Sequence, residues 1–187
     1  MEKIPTMYPR DEAQRGHPVT PGVKPECAWV EAGEGIPTRK LDGTNVKLEG
    51  GKLFKRQKPR DGKPYDEAAY AEALRGDPGD KYIWEAFDAL PAKLDGIYEA
   101  VGPKIQGNPE SFPNHTLVRV VPPDPALIVK GEVPRTFEGL RAYLTSEVIE
   151  GIVFHHPDGR FAKIKRRDFG LPWPVAMTKK ILRWMTD

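Results

Sequence analysis

Cysteine is almost absent from this 187-residue chain, where Cys27 stands alone. One thiol cannot close an intrachain disulfide, and it cannot supply a Cys-based zinc site. The opening residues, Met1-Glu2-Lys3-Ile4-Pro5, lack the apolar stretch of a secretory signal. No apolar run approaches the roughly 20 residues needed to cross a bilayer. Internal repeats and low-complexity tracts are missing too. Together these shortages predict a reducing, cytoplasmic setting and disfavour secreted, membrane and repeat architectures. What is present is ordinary: 39% apolar and 30% charged residues, the profile of a globular protein with length for one core.

The net charge of +2 conceals an uneven distribution. Residues 38–60 carry eight Lys/Arg against two acids, and residues 160–187 carry the same excess. If the fold joined these blocks they would form one basic face for a polyanion. If not, they are solvated surfaces.

Residues 1–26 read as an irregular arm rich in Pro, Gly and charge. Cys27-Ala28-Trp29-Val30 is apolar and β-prone. Val46–Glu49 and Lys52–Arg56, split by Gly50-Gly51, have the form of a β-hairpin. Lys40 is expected in a loop just ahead of it. Gln57–Pro64 reads as a polar loop, and Asp66–Leu74 as a short helix ended by Gly76. Tyr82–Leu90 mixes helical and strand spacing. Gly96–Gly102 and Thr116–Val121 read as strands, and Phe137–Leu144 as a helix capped by Thr136. Glu150–His155 and Arg160–Lys165, turned by Pro157-Asp158-Gly159, form a second hairpin. Pro174–Met185 suits a helix with an apolar face. The balance is α+β with antiparallel hairpins, not a βαβ alternation.

Several charged residues sit oddly for a purely structural domain. Lys40 and Asp42 flank a glycine turn, Glu99 interrupts an apolar strand, and Glu150 opens another. Lys163 and Lys165 share one face of a strand, because strand side chains repeat every two residues. Their mutual repulsion would be relieved by an anion. A lysine becomes a nucleophile when its ammonium loses a proton, and Arg39, Lys163 and Lys165 are cationic neighbours suited to promote that. Two strand carboxylates could hold a hard divalent cation. A lysine nucleophile, phosphate-binding cations and a metal site are the parts needed to attack a nucleotide α-phosphate. The plainer reading of Lys40-Leu41-Asp42-Gly43 is a solvated turn. His155-His156 point to opposite strand faces and are not suited to share a metal.

The ordered set resembles the covalent nucleotidyltransferase superfamily of polynucleotide ligases and capping enzymes. Lys40-Leu41-Asp42-Gly43 matches its Lys-x-Asp-Gly motif, and Arg56 its later arginine. Tyr98-Glu99-Ala100-Val101-Gly102 matches the third motif, Glu150-Gly151-Ile152-Val153 the fourth, and Lys163-Ile164-Lys165 the fifth. All occur in the family's order across roughly residues 27–170. The Arg39-to-Thr44 stretch with Lys52–Arg56 is most similar to small, single-domain ATP-dependent 5′-to-3′ RNA ligases. The resemblance implies an antiparallel-sheet nucleotidyltransferase (ATP-grasp-like adenylation) domain over residues 27–170, with residues 171–187 as a short basic helix. DNA ligases and capping enzymes carry an OB fold after the last motif; residues 166–187 are too few for one.

The roles implied fall position by position. Lys40 would carry AMP. Arg39, Asp42 and Asn45 would shape the ATP pocket, and Arg56 and Glu99 would hold the ribose and phosphate side. Glu99 and Glu150 would ligate Mg2+ or Mn2+, while Lys163 and Lys165 would neutralise the α-phosphate. The expected activity is ATP-dependent joining of RNA 5′-phosphate and 3′-hydroxyl ends by a monomer. The alternatives are DNA nick sealing, GMP-transferring capping, or a non-catalytic RNA-binding module of the same fold.

Overall fold

The structure is a computed structural model that describes residues 3–57 and 70–173. In chain order its strands are β1 (Ile36–Lys40), β2 (Thr44–Glu49), β3 (Lys52–Arg56), β4 (Tyr70–Glu72), β5 (Gly96–Val101), β6 (Thr116–Val121), β7 (Gly151–His155) and β8 (Phe161–Lys165). Its helices are α1 (Ala28–Glu31), α2 (Lys81–Asp88) and α3 (Phe137–Ser146). The fold is α+β, with antiparallel pairing between all named strands. Two compact units emerge: Leu41–Ala126 with Met1–Lys3, and Ile4–Lys40 with Leu127–Asp187. The division falls between Lys40 and Leu41, inside the Lys-x-Asp-Gly stretch.

The first unit is a five-stranded sheet in the order β4-β3-β2-β5-β6. Period-two alternation sends Val46, Leu48, Leu53, Tyr98, Ala100 and Leu117 to one face, where they pack with Ile83, Ala86 and Phe87 of α2. Lys55 falls on this face too, and its Nζ donates to the buried Asp80 at 2.5 Å. The opposite face receives the intervening, half-buried residues Asn45, Arg56, Tyr70 and Glu99. Gly43, which leads into β2, lies so close to β5 that a Cβ there would stand 2.3 Å from the Ala100 carbonyl oxygen. Only glycine allows that approach.

The second unit is a three-stranded sheet in the order β1-β7-β8. Ile152, Phe154, Ala162 and Ile164 are fully buried on one face, in a core that includes Leu140 and Leu144 of α3 and Trp29 and Val30 of α1. The Thr136 hydroxyl caps α3 by accepting from the Gly139 N–H, as its sequence predicts, a contact worth about 1 kcal/mol. The described part of the N-terminal arm is irregular and runs beside β8. The Lys163 N–H donates to Pro5 O and the Met7 N–H to Lys163 O, so the arm satisfies an edge that would otherwise lie open.

Three local expectations fail. Cys27–Val30 is not a strand: Pro25–Cys27 forms a 3₁₀ turn that continues into α1. An apolar run this short has no decisive period, and Pro25 with Glu26 supplies a helical start. Lys40 closes strand β1 instead of lying in a loop. Tyr70–Glu72 is a strand, because it completes the edge of the sheet against β3. Residues 66–69 of the expected helix, residues 58–64 of the expected loop, and Pro174–Met185 lie outside the described residues. Most of the undecided Tyr82–Leu90 stretch lies in α2. No helix among the described residues is long and apolar enough to cross a membrane.

Candidate active site

Strand register places the lysines of the second unit. Lys40 stands opposite Gly151, and Gly151 opposite Lys165. Directly paired residues share a sheet face, so Lys40 and Lys165 face the same way across two strand spacings, roughly 10 Å at Cα. The next row on that face is Thr38, Val153 and Lys163, and the one beyond is Ile36, His155 and Phe161. Gly151 leaves room between the two lysines. A Cβ there would meet the Ile164 carbonyl oxygen at 2.3 Å and Lys165 Cα at 2.8 Å. The glycine of the Glu-Gly pair is therefore a packing requirement of β7 on β8.

Arg39 behaves differently. It lies one residue from Lys40, so strand geometry sends it to the other face, where it is exposed and its charge acts on Tyr143 of α3. It is not brought alongside Lys163 and Lys165.

The Lys40 ammonium donates to Glu150 Oε2 at 2.5 Å. Both side chains are largely sheltered, 23% and 12% exposed. Glu150 is positioned by its backbone, whose carbonyl accepts from the Arg166 N–H at 2.9 Å. The Arg166 guanidinium, itself buried, donates to Leu144 O and to Glu147 O, the latter at 2.8 Å. Those are terminal carbonyls of α3, which a cation suits. Arg166 thus ties the end of α3 to the start of β7, where Glu150 sits.

Lys165 is 6% exposed. Burial pushes its ammonium below the usual lysine range, and Arg167 and Lys40 act in the same direction, while Asp168 and Glu150 oppose them. Asp168, fully buried, accepts from the Lys165 backbone N–H at 2.9 Å and from Arg10 at 2.5 Å. In the second row the Thr38 hydroxyl donates to Val153 O at 3.1 Å and lies 3.0 Å from His155 Nε2 of the third. A hydroxyl has one proton to give, so Nε2 carries the hydrogen of that contact. Burial lowers the His155 pKa to about 4, so the ring is neutral near pH 7.

In the first unit the expected residues also share a face. The Asn45 amide donates to Glu99 Oε2 at 3.3 Å and to Tyr98 O at 3.4 Å, and Tyr70 OH is hydrogen-bonded to Asn45 Oδ1. Arg56 stands opposite Tyr70 in register. The Asp42 N–H donates to Glu110 at 3.0 Å.

The structure therefore gathers Lys40, Glu150, Lys163 and Lys165 on one sheet, and Asn45, Arg56 and Glu99 on the other. Sequence reasoning missed Tyr70, Glu110, Thr38 and Arg166. For Arg166 the charge run was visible but its burial was not. Tyr70 had no local signal, because its partner is 25 residues away.

Carboxylates are hard oxygen donors, and Mg2+ characteristically takes one or two of them with phosphate oxygens and waters. Glu99 and Glu150 have that donor chemistry. Among the described residues no group of three or more His, Cys, Asp or Glu side chains comes together as a metal site.

A family model described as RNA ligase 1 matches residues 85–184, just over half of the chain. That stretch contains Glu99, Glu150, Lys163 and Lys165 and begins after Lys40. Rat RNA ligase 1 is 32% identical over 126 residues, covering 60% of this chain and 36% of its own length. Zebrafish RNA ligase 1 is 33% identical over 93 residues, covering 46% of this chain and 27% of its own. The matched region thus spans about a third of those relatives. Motif order, a sheltered lysine–glutamate pair in one row with a buried lysine, and this match lead to one assignment: the chain belongs to the RNA ligase 1 family.

Proposed function

We propose that the chain is an ATP-dependent RNA ligase acting through a lysyl-AMP intermediate on a nucleotidyltransferase domain. The observation that carries this reading is the Lys40–Glu150 pair at 2.5 Å, with Lys165 in the same row. An ammonium has no lone pair, so attack requires its proton to leave. Glu150 is a base within hydrogen-bond reach. In the first step Lys40 Nζ, having lost one proton to expose its lone pair, bonds to the α-phosphorus of ATP, the bond from that phosphorus to the pyrophosphate oxygen breaks, and Nζ gives up a second proton to leave the phosphoramidate N–H. Lys163 and Lys165 supply fixed positive charge for the oxygens that become more negative, in a sheltered setting where such charge acts strongly.

Next, a 5′-phosphate oxygen of RNA attacks the same phosphorus and the Nζ–phosphorus bond breaks. A 3′-hydroxyl then attacks the adenylated 5′-phosphate, AMP departs and the strand is sealed. Asp42 and Asn45 would shape the pocket, with Arg56 and Glu99 on the ribose and phosphate side. Glu99 and Glu150 would hold Mg2+ or Mn2+, which when bound would draw charge from phosphate oxygens.

The test is incubation with α-labelled ATP and Mg2+ followed by a denaturing gel. A covalent label is expected with ATP, and Lys40→Ala should abolish it. GTP run in parallel separates a capping-type enzyme, and RNA ends against DNA nicks separate the acceptor. Absence of label on folded protein supplied with metal would overturn the reading in favour of a binding module.

A further inference from the structure

The outer face of the five-stranded sheet carries one continuous row of polar residues. Tyr70 on β4 pairs with Arg56 on β3, and Asn45 on β2 pairs with Glu99 on β5. The β2–β3 register, Val46 opposite Lys55, puts Asn45 opposite Arg56 when extended by one residue. Tyr70, Arg56, Asn45 and Glu99 thus stand in order across four adjacent strands. Tyr70 reaches over the Arg56 position to meet Asn45, two strands away.

The chemistry of the partners fixes which way the amide points. The Tyr98 carbonyl can only accept, so the Asn45 NH2 must face it, and Glu99 Oε2 lies on that same side. Asn45 Oδ1 then faces Tyr70, and Tyr70 OH must be the donor. Burial raises the phenol pKa above its ordinary value, against the opposing influence of Arg56, so the donor keeps its proton at neutral pH. Without that hydroxyl Asn45 Oδ1 loses its donor, and the amide is held only by two long contacts, 3.3 Å to Glu99 and 3.4 Å to Tyr98 O, so its grip on Glu99 loosens.

We propose that Tyr70 is a positioning residue that locks the Asn45 amide against Glu99, and so sets how the ribose of the nucleotide is held. The inference rests on the nucleotidyltransferase reading of Asn45 and Glu99. It acts through orientation alone, since Tyr70 need not touch the reacting phosphorus.

Tyr70→Phe keeps the ring and removes only the hydroxyl. In lysyl-AMP formation the variant should raise the KM for ATP about tenfold while the rate at saturating ATP stays within about twofold of wild type. The preference for ATP over 2′-deoxy-ATP should shrink by a similar factor, because a loosened Glu99 no longer reads the ribose sharply. Placed on an Asn45→Ala background, Tyr70→Phe should add nothing. Independently of turnover, the Asn45 side-chain amide protons should exchange faster with solvent in the variant, read by NMR. A variant with unchanged KM, unchanged discrimination and unchanged amide exchange, beside a wild type that labels normally, would overturn the role of Tyr70 and leave the ligase reading standing. So would an effect that persists in full without Asn45. Failure of wild type itself to form lysyl-AMP would instead bring down the ligase reading and this role with it.

Discussion

On the three-stranded sheet the residues assigned to chemistry are ions: Lys40 against Glu150, Lys165 nearly buried, and Lys163 one row away. On the five-stranded sheet the corresponding residues Asn45 and Glu99 are joined through an amide and a phenol. The two arrangements carry different costs. Burying a cation is unfavourable unless an opposite charge offsets it, and for Lys165 burial outweighs the help from Asp168 and Glu150. Such a residue makes sense where a phosphate supplies the missing negative charge. An amide held by one donor and two acceptors costs little and fixes orientation, which suits discrimination more than rate. The ionic face should therefore control the rate of phosphoryl transfer, and the hydrogen-bonded face the affinity for nucleotide.

The sharpest way to break this contrast is Lys165→Met. Labelling at saturating ATP should fall about 100-fold, the scale of losing one charge-stabilising group. The same variant should be as stable as wild type at pH 7, or more stable by about 1 kcal/mol, because the desolvation penalty goes with the charge. The sign with pH follows from the direction of the shift. The folded Lys165 pKa lies below the unfolded value of about 10.4, so the unfolded chain binds more protons between them and wild-type stability rises with pH across that window. Any advantage of the variant in denaturant midpoint should therefore shrink between pH 7 and pH 10. A variant that labels normally would remove Lys165 from the chemistry.

Asn45→Ala should produce the opposite pattern: a KM for ATP raised about tenfold, with a much smaller change in maximal rate. A loss confined to the maximal rate would collapse the distinction between the two faces. The smallest effect is expected at His155, on the ionic face but two rows from Lys40. Its folded pKa, about 4, lies below the ordinary histidine value of 6.5, so its contribution to stability is present above 6.5 and is lost as pH falls through that interval. His155→Gln should flatten the acid limb of the stability curve between those values, measured by urea unfolding, and Asn45→Ala should leave that limb in place.

How much of this was legible depends on the range of the forces involved. Both hairpins, the strands at Gly96–Val101 and Thr116–Val121, and the cap at Thr136 follow from patterns within ten residues or so, and all appear in the structure. Tyr70–Glu72 does not, because an edge strand of three residues is selected by the β3 edge it covers. Cys27–Val30 failed for a related reason: four apolar residues suit a buried strand or a buried helical turn equally, and the core decides. Arg39 shows the same limit at the site. Proximity in sequence suggested a neighbour for Lys40, but a strand places adjacent side chains on opposite faces.

The sequence by itself determined the order of the charged motifs, the hairpins that carry them and the faces on which Lys163 and Lys165 project, since alternation is a local property of an extended chain. Only the tertiary structure decided that Lys40, Gly151 and Lys165 form one row, that Glu150 meets a lysine 110 residues away, and that Tyr70 meets Asn45. Register between distant strands is set by which apolar faces must be buried and where a glycine permits close approach, as Gly151 does beneath Ile164. Those are properties of the packed molecule, and no single stretch of the chain contains them.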